Sequence, residues 1–264
     1  MATRKVAARP QRVAAEQRGA DPRREVARLR ALLAREGDSA RALGAQRYLK
    51  SELTFLGVTV PGVRNAAKAY VRAHPQLDRK ALLALAEALF STDVHELRSL
   101  AIGILELKRS LLTAADGAEL ISMIRRADTW AHVDWLATKV MGPLLVPTAQ
   151  GRKQLERWVR DPSFWVRRTA LLCWHDALLA GGGDFEHFAK LARPLLHERE
   201  FFIRKAIGWV LRSTARRTPE RTIAFVKEHA TELSALSFKE ATRNLPTAQI
   251  AALRALRERA APQR

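Results

Sequence analysis

Ile203-Arg204-Lys205-Ala206-Ile207 has three counterparts upstream: Leu97-Arg98-Ser99-Leu100-Ala101, Val133-Asp134-Trp135-Leu136-Ala137 and Val166-Arg167-Arg168-Thr169-Ala170. The branched apolar residues that open them, Leu97, Val133, Val166 and Ile203, are spaced 36, 33 and 37 residues apart. Two helices fit each interval, and neither can bury its apolar face without a neighbour. Such a period therefore predicts stacked helical hairpins forming a curved solenoid whose inner helices line a concave surface.

The sequence around these segments agrees. Apolar residues recur at helical spacing almost to the end, beginning with Val26, Leu29, Leu32 and Leu33, and strand-like alternation is nowhere sustained. Only 13 Gly and 11 Pro occur in 264 residues, so breakers are scarce, while Ala, Leu and Arg favour helix. The fold class expected is all-α and HEAT-like, with twelve to fourteen helices. Breaks are predicted at Gly37-Asp38-Ser39, Thr59-Val60-Pro61-Gly62, Ser91-Thr92-Asp93, Val146-Pro147-Thr148, Asp161-Pro162-Ser163, Gly181-Gly182-Gly183-Asp184 and Thr218-Pro219-Glu220. Several place Ser, Thr or Asp just before a helix, and two place Pro at its opening. Residues 1–24 hold seven Arg or Lys and lack the apolar core of a secretory signal. They are expected to be a disordered basic tail, followed by a single domain over 25–264.

Lys and Arg number 46 against 27 acids, a formal charge of +19. Self-repulsion of that size points to an anionic partner, phosphate backbones first. In three of the four repeats the opener is followed by arginine (Arg98, Arg167, Arg204), and in the other by Asp134. Equivalent positions should point in equivalent directions, which predicts a groove lined with cations and carrying one carboxylate. A bland alternative is that Asp134 simply pairs with a neighbouring arginine. Trp130 lies four residues before Asp134, on the same helix face, and Trp209 shares a face with Arg212. The other four tryptophans, Trp135, Trp158, Trp165 and Trp174, are assigned to packing.

Other chemistries find little support. The seven histidines include no zinc-protease pair, so no metal is expected. There is no phosphate-cradling glycine loop followed by Lys and Ser or Thr. Cys173, the one cysteine, sits in the apolar run Ala170-Leu171-Leu172-Cys173-Trp174 and reads as core. No stretch is apolar enough to cross a membrane.

Arg47-Tyr48-Leu49-Lys50 with Phe55-Leu56-Gly57-Val58 and Pro61, then Thr129-Trp130 to Asp134, Phe164-Trp165-Val166-Arg167-Arg168, and Glu200-Phe201-Phe202 through Ile207-Gly208-Trp209-Val210-Leu211-Arg212 together resemble the bacterial DNA alkylation repair family of AlkD-type glycosylases. The likeness runs from about residue 40 to residue 245, and its most specific block is the last. The resemblance implies a right-handed superhelical solenoid with a concave basic groove. It also implies hydrolysis of the N-glycosidic bond of N3- or N7-alkylated purines in duplex DNA, without cofactor. Its catalytic carboxylate would be Asp134, flanked by Trp130 and Trp209, and its backbone-gripping cations Arg168 and Arg212. Lys205 and Lys50 would add phosphate contacts, and Tyr48, Phe201 and Phe202 of the matching blocks are expected to face the DNA. The sequence departs from the family pattern at Ala131-His132, which stands where a more polar pair including an acid is usual.

The chemistry is economical. A purine alkylated at N3 or N7 is already cationic and departs neutral without a general acid. A carboxylate beside the deoxyribose can stabilise oxocarbenium character or orient a water. The expected setting is a monomer in the bacterial cytoplasm, at the nucleoid. The rival reading is a non-catalytic HEAT-like module that binds nucleic acid or an acidic protein through the same groove. A membrane-surface protein is less favoured, because the cations are spread over the repeats.

Overall fold

The computed structural model describes residues 21–260. Every regular element among them is helical, apart from one isolated β-bridge between Thr54 and Val94. They gather into two compact units that divide between Lys108 and Arg109, where the sequence reading draws one domain from residue 25.

The first unit contains α1 (Pro22–Ala34), α2 (Ser39–Leu49), α3 (Val60–Ala73), α4 (Arg79–Phe90) and α5 (His95–Leu107). Pro22, Arg23 and Arg24, expected to be tail, thus form the first turn of α1, where Asp21 caps the helix by accepting from the Arg23 N–H. Residues 1–20 of that expected tail lie outside the described residues. Asp38, Thr59 and Asp78 cap α2, α3 and α4 in the same way. Glu96, buried in the first turn of α5, accepts from the N–H groups of Leu56, Gly57 and Val58. Gly57 has a φ of +78°, and a Cβ there would lie 2.0 Å from the Asp38 carbonyl oxygen, so only glycine fits.

The second unit contains α6 (Gly117–Arg125), α7 (Trp130–Trp135), a π-helical segment over Leu136–Met141, α8 (Gly142–Leu145), α9 (Ala149–Trp158), α10 (Phe164–Leu172), α11 (His175–Leu179), α12 (Phe185–Ala192), α13 (Phe201–Thr214), α14 (Pro219–Glu228), α15 (Ala235–Thr242) and α16 (Thr247–Ala260). Among the described residues these sixteen α-segments amount to fourteen helices, within the expected number, once two interrupted ones are each counted once: the π segment splits 130–145, and a break at Cys173 and Trp174 splits 164–179. Cys173 therefore caps the C-terminal end of α10. It remains core, and burial pushes its thiol pKa up. Gly142 packs against that break, since a Cβ on it would lie 2.4 Å from the Cys173 carbonyl oxygen.

The repeat arithmetic holds. Leu97, Val133, Val166 and Ile203 are all fully buried, each contributing on the order of 1.5 to 3 kcal/mol of hydrophobic stabilisation. Their arginine neighbours do something other than line a groove. Arg98 Nε donates to the Thr92 carbonyl, Arg167 Nη1 to the Asp161 carbonyl and Arg204 Nε to the Glu198 carbonyl, each six residues back. Side chains on a helix lean toward its N-terminus, so an arginine in the first turns folds over the preceding loop and satisfies a carbonyl there. These three recur because they seal the entry to their own helices.

Successive repeats are joined by ion pairs one repeat apart in sequence. In the second unit Arg125 pairs with Asp161, Arg168 with Asp134, Lys139 with Asp176, Lys190 with Glu156 and Lys205 with Glu240. α15 packs on α13 more intimately than any other helix pair in this unit, and Gly208 makes that possible: a Cβ there would lie 2.5 Å from Glu240 Cβ and 2.9 Å from the Ser237 carbonyl oxygen. Gly208→Ala should force the two helices apart and cost about 1 to 3 kcal/mol. Urea unfolding midpoints measure this, and an unchanged midpoint would contradict the close approach.

Candidate catalytic carboxylate and nucleic-acid interface

Asp134 sits near the end of α7, whose N-cap is Thr129: its hydroxyl accepts from the Ala131 N–H and fixes where the helix starts. That start makes Trp130 the first helical residue, half-buried and one turn before Asp134. Asp134 is held by Arg168 of α10 in a two-pronged pair: Nε donates to Oδ1 at 2.7 Å and Nη2 to Oδ2 at 2.8 Å. The third arm of the guanidinium, Nη1, donates to the Phe202 carbonyl in the first turn of α13. Arg168 thus ties three helices of successive repeats together. Its side chain is 3% exposed and that of Asp134 14%, so the carboxylate keeps an opening to the surface and the guanidinium does not.

Arg168, expected to grip the DNA backbone, is therefore placed as the holder of Asp134. The Phe202 ring also lies beside it, its centroid 5.7 Å from the guanidinium carbon. The bidentate fork occupies one lone pair on each carboxylate oxygen, leaving one on each for a water or a substrate contact.

Trp209 lies on α13, two turns beyond Phe202 and half-buried. Its indole packs against His175 of α11, ring centroids 4.6 Å apart and tilted by 53°. His175 is buried, with Nδ1 2.8 Å from Asp176 Oδ1 and Nε2 2.9 Å from Ser213 Oγ. The other oxygen of Asp176 accepts from Lys139 Nζ at 2.6 Å. Burial would raise the Asp176 pKa, but the hydrogen bonds from His175 and Lys139 outweigh it and hold the carboxyl below its ordinary value.

Arg212 and Lys205, on the same helix, both bind the carboxylate of Glu240 from α15. Burial works to raise the Glu240 pKa, and the two cations overcome it and lower it. Lys205 is 37% exposed and Arg212 20%, so both keep part of their surface open. Phe201 is exposed, and Phe202 forms a cluster with Phe164, Trp165 and Phe201 at the adjoining N-terminal ends of α10 and α13. Tyr48 and Lys50 belong to the first unit. Tyr48 is strongly exposed, and Lys50 ends α2 in the left-handed conformation with φ 51°. Of the tryptophans assigned to packing, Trp158 and Trp174 are core, while Trp135 and Trp165 are half-buried.

The structure thus brings together Trp130, Asp134, Arg168 and Phe202, and separately Lys205, Arg212 and Glu240. Sequence reasoning passed over Glu240, Lys139, His175, Asp176 and Ser213. A signal for three of them existed: Glu240 follows Lys205 by 35 residues and Asp176 follows Lys139 by 37, opposite charges one repeat apart.

Residues 29–245 match the family model described as DNA alkylation repair enzyme. The chain belongs to that family. A predicted DNA alkylation repair enzyme from Enterococcus faecalis is similar in structure, with a TM-score of 0.70 and 22% identity over 80% of this chain and 98% of the other. AlkD2 from Streptococcus mutans superposes with a TM-score of 0.53 and 15% identity, covering 92% of this chain and all of that one. No curated protein matches the chain. Family membership gives it a role in the repair of alkylated DNA and makes DNA its partner. Among the described residues no helix is long and apolar enough to cross a membrane.

Proposed function

We propose that the protein is a DNA glycosylase that hydrolyses the N-glycosidic bond of N3- or N7-alkylated purines in duplex DNA. The observation that carries this reading is Asp134: a partly open carboxylate one turn from a half-buried indole, held in fixed orientation by a buried arginine. Orientation matters because electrostatic catalysis depends on groups that need not reorganise as charge develops. The alkylated base leaves neutral, and the deoxyribose becomes oxocarbenium-like. The free lone pairs of Asp134 face that charge or align a water with it. The Trp130 indole favours a cation by about 0.5 to 2 kcal/mol, depending on desolvation, and Trp209 is assigned the same role. Lys205 and Arg212 serve as sequence-independent phosphate contacts, joined by Lys50, Tyr48 and the exposed Phe201.

One observation favours a second reading. The Asp134–Arg168 pair is also what a purely structural lock between α7 and α10 would look like, in a DNA-binding module without catalysis. Incubation with methylated duplex DNA and chromatography of the released bases separates the two. The glycosylase frees 7-methylguanine or 3-methyladenine under enzyme excess, and the module frees none above the spontaneous rate.

A further inference from the structure

Two bridges cross from the helix of Asp134 to the helix of Trp209. The first is the Asp134–Arg168–Phe202 carbonyl chain. The second begins on the π segment: Lys139 reaches Asp176, Asp176 holds His175, and His175 meets both Ser213 and the Trp209 indole on α13.

We propose that Lys139, Asp176, His175 and Ser213 form a positioning network that fixes the Trp209 indole relative to Asp134, with His175 the member in contact with the ring. The inference rests on the glycosylase reading for its catalytic consequence, but the geometry stands by itself. Both ring nitrogens of His175 are engaged, so the imidazole cannot turn about its own axis without losing a hydrogen bond. Ser213 lies one helical turn beyond Trp209 on α13 and anchors the imidazole to the helix that carries the indole. Ser213 is buried within that helix, so the Ser-His-Asp succession supports a ring and is not an exposed nucleophile. The starting point is set by the π segment, where Arg109 Nη1 donates to the Lys139 carbonyl at 2.8 Å and Thr138 Oγ1 to the Asp134 carbonyl at 2.8 Å. One stretch of backbone therefore orients Asp134 at one end and Lys139 near the other.

The test separates position from chemistry. Subtracting the emission of each Trp209→Phe counterpart isolates one indole among six tryptophans. His175→Ala should alter the Trp209 emission and its quenching by acrylamide. Single-turnover release of 7-methylguanine should slow roughly 10-fold, with affinity for unmodified duplex within about twofold. Lys139→Ala and Asp176→Asn, both at partly exposed positions, should each slow release about threefold, and the double variant should be no slower than the slower single one. An unchanged Trp209 signal in His175→Ala would overturn the proposal, as would effects of Lys139→Ala and Asp176→Asn that multiply. If the wild-type protein released no base, the glycosylase reading would fall, and the Trp209 signal would still decide the positioning role.

Discussion

Asp134→Asn is expected to release 7-methylguanine from methylated duplex at least about 100-fold more slowly than the wild type, the scale on which removing one preorganised electrostatic group acts. Asparagine keeps the shape and one acceptor oxygen for Arg168, so the α7–α10 link weakens without disappearing. Duplex affinity should stay near that of the wild type, because the phosphate contacts are assigned to other residues. The comparison is made by single-turnover release against equilibrium binding. Equal release rates in variant and wild type would remove Asp134 from the chemistry and leave it as a structural acid.

Arg168→Ala is expected to be the most destabilising single change at the site, at about 3 to 5 kcal/mol, since it strands a largely buried carboxylate and leaves the Phe202 carbonyl without its donor. Denaturant unfolding reads this directly. Replacing both partners at once, Asp134→Leu with Arg168→Met, should recover much of the stability, because an apolar pair avoids the desolvation of two charges. That double variant should be inactive in base release. A stable and active double variant would contradict the catalytic assignment, and a marginal cost for Arg168→Ala would contradict the burial of the pair.

The helical repeat was legible because it rests on local signals. Branched apolar openers one period apart specify the buried stripe, and Asp38, Thr59, Thr148 and Asp184 sit where helices begin. Trp130 and Asp134 were legible as neighbours because one turn of helix separates them. The partners of the charges were not. Whether an arginine lines a groove, as expected of Arg98, Arg167 and Arg204, or folds back on its own loop depends on where in the first turns it falls. That boundary is known only once the cap is placed. Arg168 differs from Arg167 by one position, yet one seals a loop and the other is buried against Asp134. The interruptions at Leu136–Met141 and at Cys173 were also hidden: they meet where Gly142 approaches the Cys173 carbonyl, a contact between segments about thirty residues apart that no local pattern announces.

The widened turn over Leu136–Met141 carries one residue more than an ordinary helix needs for the same advance along its axis. Removing a single amino acid there would let the chain return to regular winding with the flanking helices near their present bearing, whereas removing one from an ordinary turn would rotate everything beyond it by about 100°. The bearing of Lys139 relative to Asp134 is thus fixed by a count of residues rather than by the identity of any one of them.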